Sequence, residues 1–233
     1  MARKIYINTK DIVELTGLTR DEVYALIREG KLAAHKAPKS GWRIEEDQVY
    51  AMFPHLKRNP HPKIPTRLIS DREHYEFLME YIRDARSRVL ISTANMKRFS
   101  IGETEAKATS ESFLDILEDL AYLGVEIRII SSSTSNGFLE EMKGHESLMK
   151  NLSFHFKTCR RCHMKMVLID DEVIYIGSAN ITAAGMGPRI DTRRNFETGM
   201  ISSDSSLVEQ GIGIFDEVWS GKRCKECYYK SEC

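Results

Sequence analysis

Two short apolar runs joined by a pair of aspartates constrain the fold of this chain more than any other feature. The segment, residues 162–180, reads CHMKMVLIDDEVIYIGSAN. The pair Asp170-Asp171 suits a turn, because aspartate side chains hydrogen-bond to nearby backbone groups. Apolar residues run on both sides of this turn, as they do in strands that line a core. The segment therefore predicts a β-hairpin with strands at 164–169 and 173–177.

Polar side chains stand at the ends of both predicted strands. Side chains alternate between the two faces of a strand, so His163 and Lys165 are predicted to point the same way. Asp170, a further member of the candidate catalytic set, has the opposite parity and is predicted to stabilise the hairpin. The returning strand would deliver Ser178 and Asn180 beside the His/Lys pair. A nucleophile, a cation and two neutral polar groups are therefore predicted to converge on one small volume.

The whole segment resembles the HKD motif of the phospholipase D superfamily, H-x-K-x4-D followed by G-S-x-N. The resemblance covers about residues 66–219. In chain order it includes a first core strand at 88–92 and a strand after a helix at 124–130. An N-x-E segment at 194–197 and a closing helix at 215–219 follow. A short motif can arise by chance, whereas several segments in the family's order form a specific signal.

The resemblance implies phosphodiester cleavage through a covalent intermediate. Members with a single motif act as homodimers, in which one His163 would attack phosphorus and the second copy's His163 would protonate the leaving oxygen. Lys165 and Asn180 would bind the phosphoryl oxygens, with Ser178 beside them. Glu197 would hold the imidazole Nδ1 and fix its tautomer. This chemistry requires no metal ion or other cofactor.

The order of the predicted elements indicates an α/β protein. Strands alternate with helices, which favours a mixed sheet flanked by helices, as in phospholipase D-like proteins. The predicted strands lie at 89–93, 126–130, 154–156, 164–169, 173–177 and 198–201. The predicted helices lie at 71–85, 111–123 and 204–219.

A basic, proline-rich stretch, PHLKRNPHPKIPT, divides the chain. Proline fixes φ and favours extended backbone, so residues 54–65 are predicted to form a semi-rigid linker. The linker separates a small unit, residues 1–53, from a catalytic unit, residues 66–220. A cysteine-rich tail, residues 221–233, follows.

The small unit has the element order of a winged helix-turn-helix domain. A strand at 4–7 precedes a helix at 9–15, and Gly17 marks a turn. The run TRDE at 19–22 is a capping box that opens a second helix. A two-stranded hairpin and a short helix at 47–53 follow. This order resembles the excisionase/MerR-type winged helix-turn-helix.

That resemblance implies that the second helix enters the major groove of DNA and that the wing touches its backbone. Trp42 is assigned to the core of the small unit. The candidate DNA-contacting residues are Thr19, Arg20, Tyr24 and Arg28 on the second helix and Lys36, Lys39 and Arg43 on the wing. A protein-contact role for this unit is the alternative.

Composition limits the partners weakly. The chain has 34 basic and 34 acidic side chains, so its formal net charge is zero and DNA binding would rest on local patches. No apolar run reaches the ~20 residues that span a bilayer. The charged start, MARKIYINTK, is not followed by the apolar stretch of a secretion signal. We expect a cytoplasmic protein without a membrane anchor.

Five cysteines lie within or after the predicted catalytic unit. Without a secretion signal they are expected to be thiols or metal ligands rather than disulfides. The pairs Cys159-x2-Cys162 and Cys224-x2-Cys227 have the spacing of a four-thiolate structural zinc site. An iron–sulfur cluster with Cys233 as a ligand, and free thiols, are the alternatives. Single-motif members of the superfamily do not generally carry these cysteines.

Taken with both resemblances, these residues predict a dimeric phosphodiesterase that acts on DNA. The alternatives are a transcription regulator that uses the phospholipase D-like domain as a sensor, and a phospholipase D. Regulators of that kind lack the intact H-x-K pair, which this chain keeps as His163 and Lys165. No amphipathic membrane-binding helix is evident. The sequence leaves open whether the scissile bond lies in DNA, RNA or lipid.

Overall fold

The computed structural model describes residues 6–37, 41–56, 63–101, 111–187 and 191–230. These residues form a small unit built on a three-stranded sheet and a larger unit built on a seven-stranded sheet. Each sheet carries its own hydrophobic core. The predicted α/β class, a mixed sheet flanked by helices and preceded by a helix-turn-helix unit, is confirmed.

Six short elements make up the small unit. They are β1 (Tyr6–Asn8), α1 (Thr9–Thr16), α2 (Arg20–Arg28), β2 (Ala34–Ala37), β3 (Gly41–Glu45) and α3 (Glu46–Met52). The Thr19 hydroxyl accepts the Glu22 N–H, and the Glu22 carboxylate accepts the Thr19 N–H, so the predicted capping box is present. Gly17 ends α1 at a φ of 73°, a left-handed conformation that glycine adopts without steric strain.

The larger sheet is mixed, as the alternation of strands and helices predicts. Its strands are β4 (Arg67–Ser70), β5 (Arg88–Met96), β6 (Glu126–Thr134), β7 (Phe154–Thr158), β8 (Met166–Ile169), β9 (Val173–Gly177) and β10 (Thr198–Ser202). They lie in the order β4-β10-β9-β8-β5-β6-β7. The strands β5, β6 and β7 run parallel, and all other neighbours in the sheet run antiparallel.

Helices cover both faces of this sheet. They are α4 (Glu73–Phe77), which continues as a π-helical turn (Leu78–Ile82), α5 (Phe113–Tyr122), α6 (Asn136–Gly144), α7 (Glu146–Met149) and α8 (Ser205–Trp219). On one face, Val208 and Phe215 of α8 join the core side chains of β8 and β9. A Cβ at Gly211 would lie 2.4 Å from Ile174 Cδ1, so glycine allows α8 to approach the sheet closely.

The sequence analysis missed one strand and two helices of the larger unit. The edge strand β4 is short and mostly exposed, and it is defined by its antiparallel pairing with β10. The predicted helix at 71–85 is a short α-helix followed by the π-helical turn. Two further helices, α6 and α7, were not predicted. In the described part of the chain, no helix is long and apolar enough to cross a bilayer.

The end of the proline-rich segment packs against the larger unit. Residues 57–62 lie outside the described ranges. Ile64 belongs to the larger core, and its N–H donates to the Ser203 Oγ at 2.7 Å. The Ile64 carbonyl in turn accepts the Ser203 N–H at 3.1 Å. The segment predicted to be a linker through residue 65 is therefore fixed from Ile64 onward.

Polar side chains connect the two units directly. Asn8, at the beginning of α1, donates from Nδ2 to Asp84 Oδ1 at 3.5 Å. Arg86 Nη1 lies 3.6 Å from Glu46 Oε1, and Glu46 is buried. A charged contact that is shielded from water is screened less by salt than one at the surface. These contacts dock the helix-turn-helix unit on the larger unit.

One carboxylate ties the β8–β9 turn to the beginning of β5. Asp170 accepts the backbone N–H groups of Arg86, Ser87 and Arg88 at 2.6–3.1 Å, and the Ser87 hydroxyl at 2.9 Å. Asp170 and Asp171 have positive φ values of 55° and 60°, which aspartate adopts more readily than most residues. The turn residue that was predicted to stabilise the hairpin therefore also fixes the hairpin to the neighbouring strand.

Asp170→Asn should destabilise the protein, because an amide offers one oxygen acceptor and lacks the charge that strengthens these bonds. We expect the free energy of unfolding, measured by urea denaturation, to fall by about 2–3 kcal/mol. Asp171→Asn is the matched control, since its carboxylate pairs with Arg88 near the surface and such pairs contribute about 0–1 kcal/mol. Equal losses in the two variants would contradict the role given to Asp170.

Candidate active site

The HKD-like residues lie at the end of the sheet where β8 begins and β9 ends. The Gly177 N–H donates to the Lys165 carbonyl at 3.0 Å, and the Ser178 N–H donates to the Thr198 carbonyl at 2.9 Å. These backbone bonds bring the approach to β8, the end of β9 and the beginning of β10 side by side. The predicted cluster therefore has a common location on three neighbouring strands.

His163 and Lys165 contact each other just before β8. The Lys165 Nζ lies 3.2 Å from His163 Nδ1 and 3.4 Å from Nε2, and it donates to the His163 carbonyl at 3.0 Å. An ammonium has only donors, so a bond to the ring requires an imidazole nitrogen with a free lone pair. His163 is exposed and Lys165 is half-buried. This pair presents an imidazole and an ammonium together at the open end of the sheet.

The strand predicted at 164–169 is shorter in the structure, because β8 begins at Met166 and leaves Lys165 ahead of it. The His163 carbonyl is bonded to the Lys165 side chain rather than to a neighbouring strand, so regular pairing ends there. Val167 and Ile169 point into the core as the alternation predicts. The two polar residues are therefore placed by the strand that follows them.

Asn180 follows β9 and is oriented by the end of β5. Its Oδ1 accepts the Asn95 N–H at 3.1 Å and lies 3.2 Å from the Thr93 hydroxyl. Thr93 is fully buried, which fixes the direction of the amide. Among the residues that the structure describes, the Asn180 Nδ2 has no hydrogen-bond partner. Its two N–H groups are available to an oxygen ligand.

Glu197 is held by Ser178 and Asn195 rather than by the imidazole. The Ser178 hydroxyl donates to Glu197 Oε2, and the Asn195 Nδ2 donates to Oε1 at 3.0 Å. Lys165 contacts the imidazole Nδ1 that Glu197 was predicted to hold. The predicted bond between Glu197 and His163 is therefore absent, and a serine and an asparagine take the place of the imidazole.

Asp170 is separate from this cluster. It follows β8 whereas His163 precedes it, so the two residues lie at opposite ends of a four-residue strand. A strand rises about 3.3 Å per residue, which separates the two positions by roughly 20 Å. The Asp170 carboxylate is engaged by the backbone of residues 86–88. Its inclusion in the catalytic set is therefore corrected to a role in holding the sheet together.

A buried histidine–tyrosine pair that the sequence analysis did not single out packs beneath the end of β9. The Tyr175 Oη and His74 Nδ1 are 3.0 Å apart, and both side chains are fully buried. Burial raises the pKa of Tyr175 and lowers the pKa of His74, while nearby Glu197 opposes the shift in His74. A Cβ at Gly177 would lie 2.2 Å from the Tyr175 Oη. The glycine of G-S-x-N is the sequence signal for this packing.

Most candidate DNA-contacting residues lie on exposed surface of the small unit. Arg20 and Arg28 are exposed at the two ends of α2, and Lys36 is exposed on β2. Tyr24 is half-buried. Thr19 is exposed, but its hydroxyl is engaged in the capping box at the beginning of α2. The exposed cations Arg20, Arg28 and Lys36 therefore lie on or near α2, among the exposed carboxylates of Asp21, Glu22 and Glu29.

Arg43 is not on the exposed surface of the wing, so that prediction is wrong. Trp42 packs against the small core, and alternation along β3 turns Arg43 to the opposite face, which the larger unit covers. Arg43 is 6% exposed and lines a small cavity with Asp119 of the larger unit. Burial lowers the pKa of Arg43, and nearby Asp84 opposes the shift. Lys39 lies outside the described residues.

The cysteines that were predicted to bind a metal come together at the end of α8. Cys159, Cys162, Cys224 and Cys227 line one cavity of about 180 Å³, and none of the four forms a disulfide. Burial raises the pKa of the Cys162 thiol. Cys233 lies outside the described residues. Two segments far apart in the sequence therefore meet through their cysteine pairs.

A second group of potential ligands, Asp115, Glu118 and His145, has ligand atoms within 4.8 Å of one another. His145 Nδ1 lies 3.0 Å from Glu118, and Nε2 lies 3.6 Å from Asp115. Asp115 also accepts the Ser112 N–H at 2.7 Å, which caps α5. Because Asp115 caps α5 and His145 bonds Glu118, we assign the group to the packing of α5 against the segment that precedes α7.

Two family models match the chain. One is described as "Cardiolipin synthase, PLD-like domain" and matches residues 78–219. The other is described as "Helix-turn-helix domain" and matches residues 6–52. Comparison with curated proteins gives no match.

Three solved structures show limited similarity to the chain. NucT from Helicobacter pylori is 15% identical, with 66% of this chain and 95% of that chain covered and a TM-score of 0.48. Nuc from Salmonella typhimurium, a phospholipase D family member, is 16% identical, with coverages of 66% and 93% and a TM-score of 0.44. TrmBL2, an archaeal chromatin protein, is 12% identical, with coverages of 93% and 87% and a TM-score of 0.44. The family assignment rests on the two family models.

The family model described as a PLD-like domain spans more than half of the chain and contains every strand from β5 to β10. It also contains the residues gathered at the end of the sheet, His163, Lys165, Ser178, Asn180 and Glu197. The chain therefore belongs to the phospholipase D-like domain family, and it carries a helix-turn-helix domain ahead of that domain.

Proposed function

We propose that this protein is a phosphodiesterase that cleaves DNA as a homodimer. The observation that carries the proposal is the exposed His163 imidazole with the Lys165 ammonium 3.2 Å away and the Asn180 amide at the same end of the sheet. Membership of the phospholipase D-like family supports phosphodiester chemistry. The helix-turn-helix domain supports DNA as the polymer that carries the scissile bond.

In the first step, an imidazole nitrogen of His163 would attack phosphorus. A P–N bond forms while the P–O bond to the leaving group breaks, and a second imidazole donates its proton to the leaving oxygen. In the second step, that imidazole takes a proton from water as the water oxygen attacks phosphorus and the P–N bond breaks. The products are a free hydroxyl and a phosphomonoester, and both imidazoles return to their starting forms.

Lys165 and Asn180 would stabilise the charge on the non-bridging oxygens. In phosphoryl transfer the protein contributes mainly positioning and charge stabilisation. A phosphate is a stronger acceptor for an ammonium than a neutral imidazole is, so a bound diester would draw Lys165 away from His163. That exchange would free the imidazole lone pair at the moment when the diester is in place.

An exposed apolar row next to the site supports a homodimer. Leu68 of β4 and Ile176 of β9 both pair with Met200 of β10, so the three side chains lie in one row across the sheet. Leu68 is 77% exposed, Ile176 is 42% exposed, and Phe196 near the site is 100% exposed. Contiguous exposed apolar groups favour association. Since each chain has one HKD-like motif, a second copy on this row would supply the second imidazole.

Basic side chains on the small unit would bind the DNA. Arg20 and Arg28 lie on α2, the second helix of the unit, which is the recognition helix in domains of this kind. Lys36 on β2 adds a third exposed cation. These side chains would neutralise phosphates and hold the duplex, while cleavage takes place at the larger unit.

RNA and lipid diesters are the competing substrates, and ligand-sensing transcription regulation is the competing function. The description of the matching family model names cardiolipin synthase, which acts on lipid. The helix-turn-helix domain favours a nucleic acid over a lipid. An exposed imidazole paired with an ammonium favours an enzyme over a sensor. Rates on DNA, RNA and anionic lipid vesicles separate these possibilities, and preferential cleavage of lipid would overturn the DNA assignment.

His163→Ala should abolish diester hydrolysis because it removes the nucleophile. We expect the cleavage rate on plasmid DNA and on bis-p-nitrophenyl phosphate to fall by at least about 10³-fold. His155→Ala, which removes an exposed imidazole from β7, is the matched control and should retain the wild-type rate. His163→Ala activity within about tenfold of wild type would contradict the assignment.

Leu68→Glu should dissociate the dimer and lower activity, because it places a charge in the apolar row without touching the HKD-like residues. Analytical ultracentrifugation should show wild type as a dimer and Leu68→Glu as a monomer, with activity falling at least about tenfold. Leu152→Glu changes a leucine that is 92% exposed near the other edge of the sheet and should leave both unchanged. A fully active monomer would contradict a site composed of two chains.

Arg28→Glu should weaken DNA binding and flatten its salt dependence. Each lost phosphate contact should reduce the slope of log K against log salt by about 0.9, as measured by fluorescence anisotropy on a duplex. Lys150→Glu, which makes the same charge change on exposed surface of the larger unit, is the matched control. Equal affinities and slopes for Arg28→Glu and wild type would favour a protein-contact role for the small unit.

A further inference from the structure

Two cysteine pairs from distant parts of the sequence face the same cavity. Cys159 and Cys162 follow β7 and lead into β8, whereas Cys224 and Cys227 follow α8. All four line a cavity of about 180 Å³. Neither phosphodiester chemistry nor DNA binding uses these residues. Their meeting at one cavity requires a separate explanation.

Both pairs adopt the same local conformation. The Cys162 N–H donates to the Cys159 carbonyl at 2.8 Å, and the Cys227 N–H donates to the Cys224 carbonyl at 3.2 Å. Each C-x2-C segment is therefore one tight turn that is closed by a hydrogen bond between its cysteines. A turn of this length keeps both thiols of a pair near one point, and structural zinc sites use this spacing.

The four cysteines share a cavity but do not have the close sulfur spacing of a metal-bound set. None of the four forms a disulfide, and no three of their sulfur atoms lie within 4.8 Å of one another among the described residues. Sulfur atoms bound to one tetrahedral zinc at about 2.3 Å lie roughly 3.8 Å apart. Formation of a four-thiolate site would therefore require the sulfur atoms to move closer together, and a change between staggered χ1 rotamers moves a sulfur atom without changing the backbone of its turn.

The segment after α8 has few apolar groups to hold it in place. Its turns are mostly exposed, and Tyr228 is 89% exposed. The contacts that hold it include the ion pair of Arg223 with Glu217 and the stacking of Arg160 on Tyr229 at 5.9 Å. Such surface contacts stabilise little by themselves. A bound metal would supply the cross-link that the segment otherwise lacks.

We propose that one zinc ion is bound by Cys159, Cys162, Cys224 and Cys227. The ion would join the segment after α8 to the segment that precedes His163 and leads into β8. The four thiols would release four protons to solvent as the four zinc–sulfur bonds form, giving a site with two net negative charges. Arg161 and Arg223 also line the cavity and would offset that charge.

The zinc site would anchor the chain immediately ahead of the imidazole. Cys162 is buried and directly precedes His163. On the other side of His163, the backbone pairs with β9 from Lys165 onward. The metal would therefore fix the upstream end of the segment that carries the nucleophile. This role does not depend on which diester is cleaved, so the proposal stands apart from the proposed function.

Metal analysis of untagged protein purified without oxygen tests the proposal. Inductively coupled plasma mass spectrometry should find about one zinc per chain, and Cys159→Ser or Cys227→Ser should lose it. Cys233→Ser is the matched control and should keep the zinc. Iron with acid-labile sulfide, lost in Cys233→Ser as well, would overturn zinc in favour of a cluster. Absence of both metals would also overturn the proposal.

A thiol count on the wild-type chain covers the case in which the serine variants do not fold. A thiol-reactive dye should modify only the cysteine outside the proposed set rapidly in native protein, and a chelator should expose the other four of the five cysteines. The zinc released, measured with a metal indicator, should rise in step with the thiols. Five thiols that react rapidly before chelation would contradict the site.

Discussion

The carboxylate of Asp170 fixes the register on which the geometry of the candidate active site depends. By accepting three consecutive N–H groups at the beginning of β5, it locks the β8–β9 hairpin against that strand. Side chains alternate with a period of two, so a slip of one residue would turn the hairpin inside out. At the other end of the hairpin, the locked register brings Lys165 beside Gly177 and Asn180 beside Thr93. A carboxylate at the far end of the hairpin thus sets the geometry of the candidate site.

Local sequence was sufficient where the governing interactions span a few residues. The Asp170-Asp171 turn and the capping box of Thr19 and Glu22 were readable because their partners are close along the chain. Burial between units is not readable in this way. Arg43 alternates with core residues and looks like an exposed wing cation, and only the approach of the larger unit reveals that it is covered.

The candidate site shows the same division between local and distant information. The resemblance and the spacing identified His163 and Lys165, but the contact between them and the beginning of β8 depend on where backbone pairing stops. Ser178 was expected beside the phosphate and Glu197 beside the imidazole, yet the two bond to each other. Hydrogen-bond partners of this kind are chosen by distances of a few tenths of an ångström, which spacing along a sequence does not specify.

The burial of Arg43 between the two units bears on how the proposed dimer would position DNA. Together with the contact between Arg86 and Glu46, Arg43 packs the small unit against the larger one. The second helix therefore has a fixed position relative to the larger unit. In the proposed homodimer, two chains related by a two-fold axis would then hold their second helices at a fixed separation. The spacing between the two DNA segments bound by these helices would then determine which phosphodiester reaches the imidazoles.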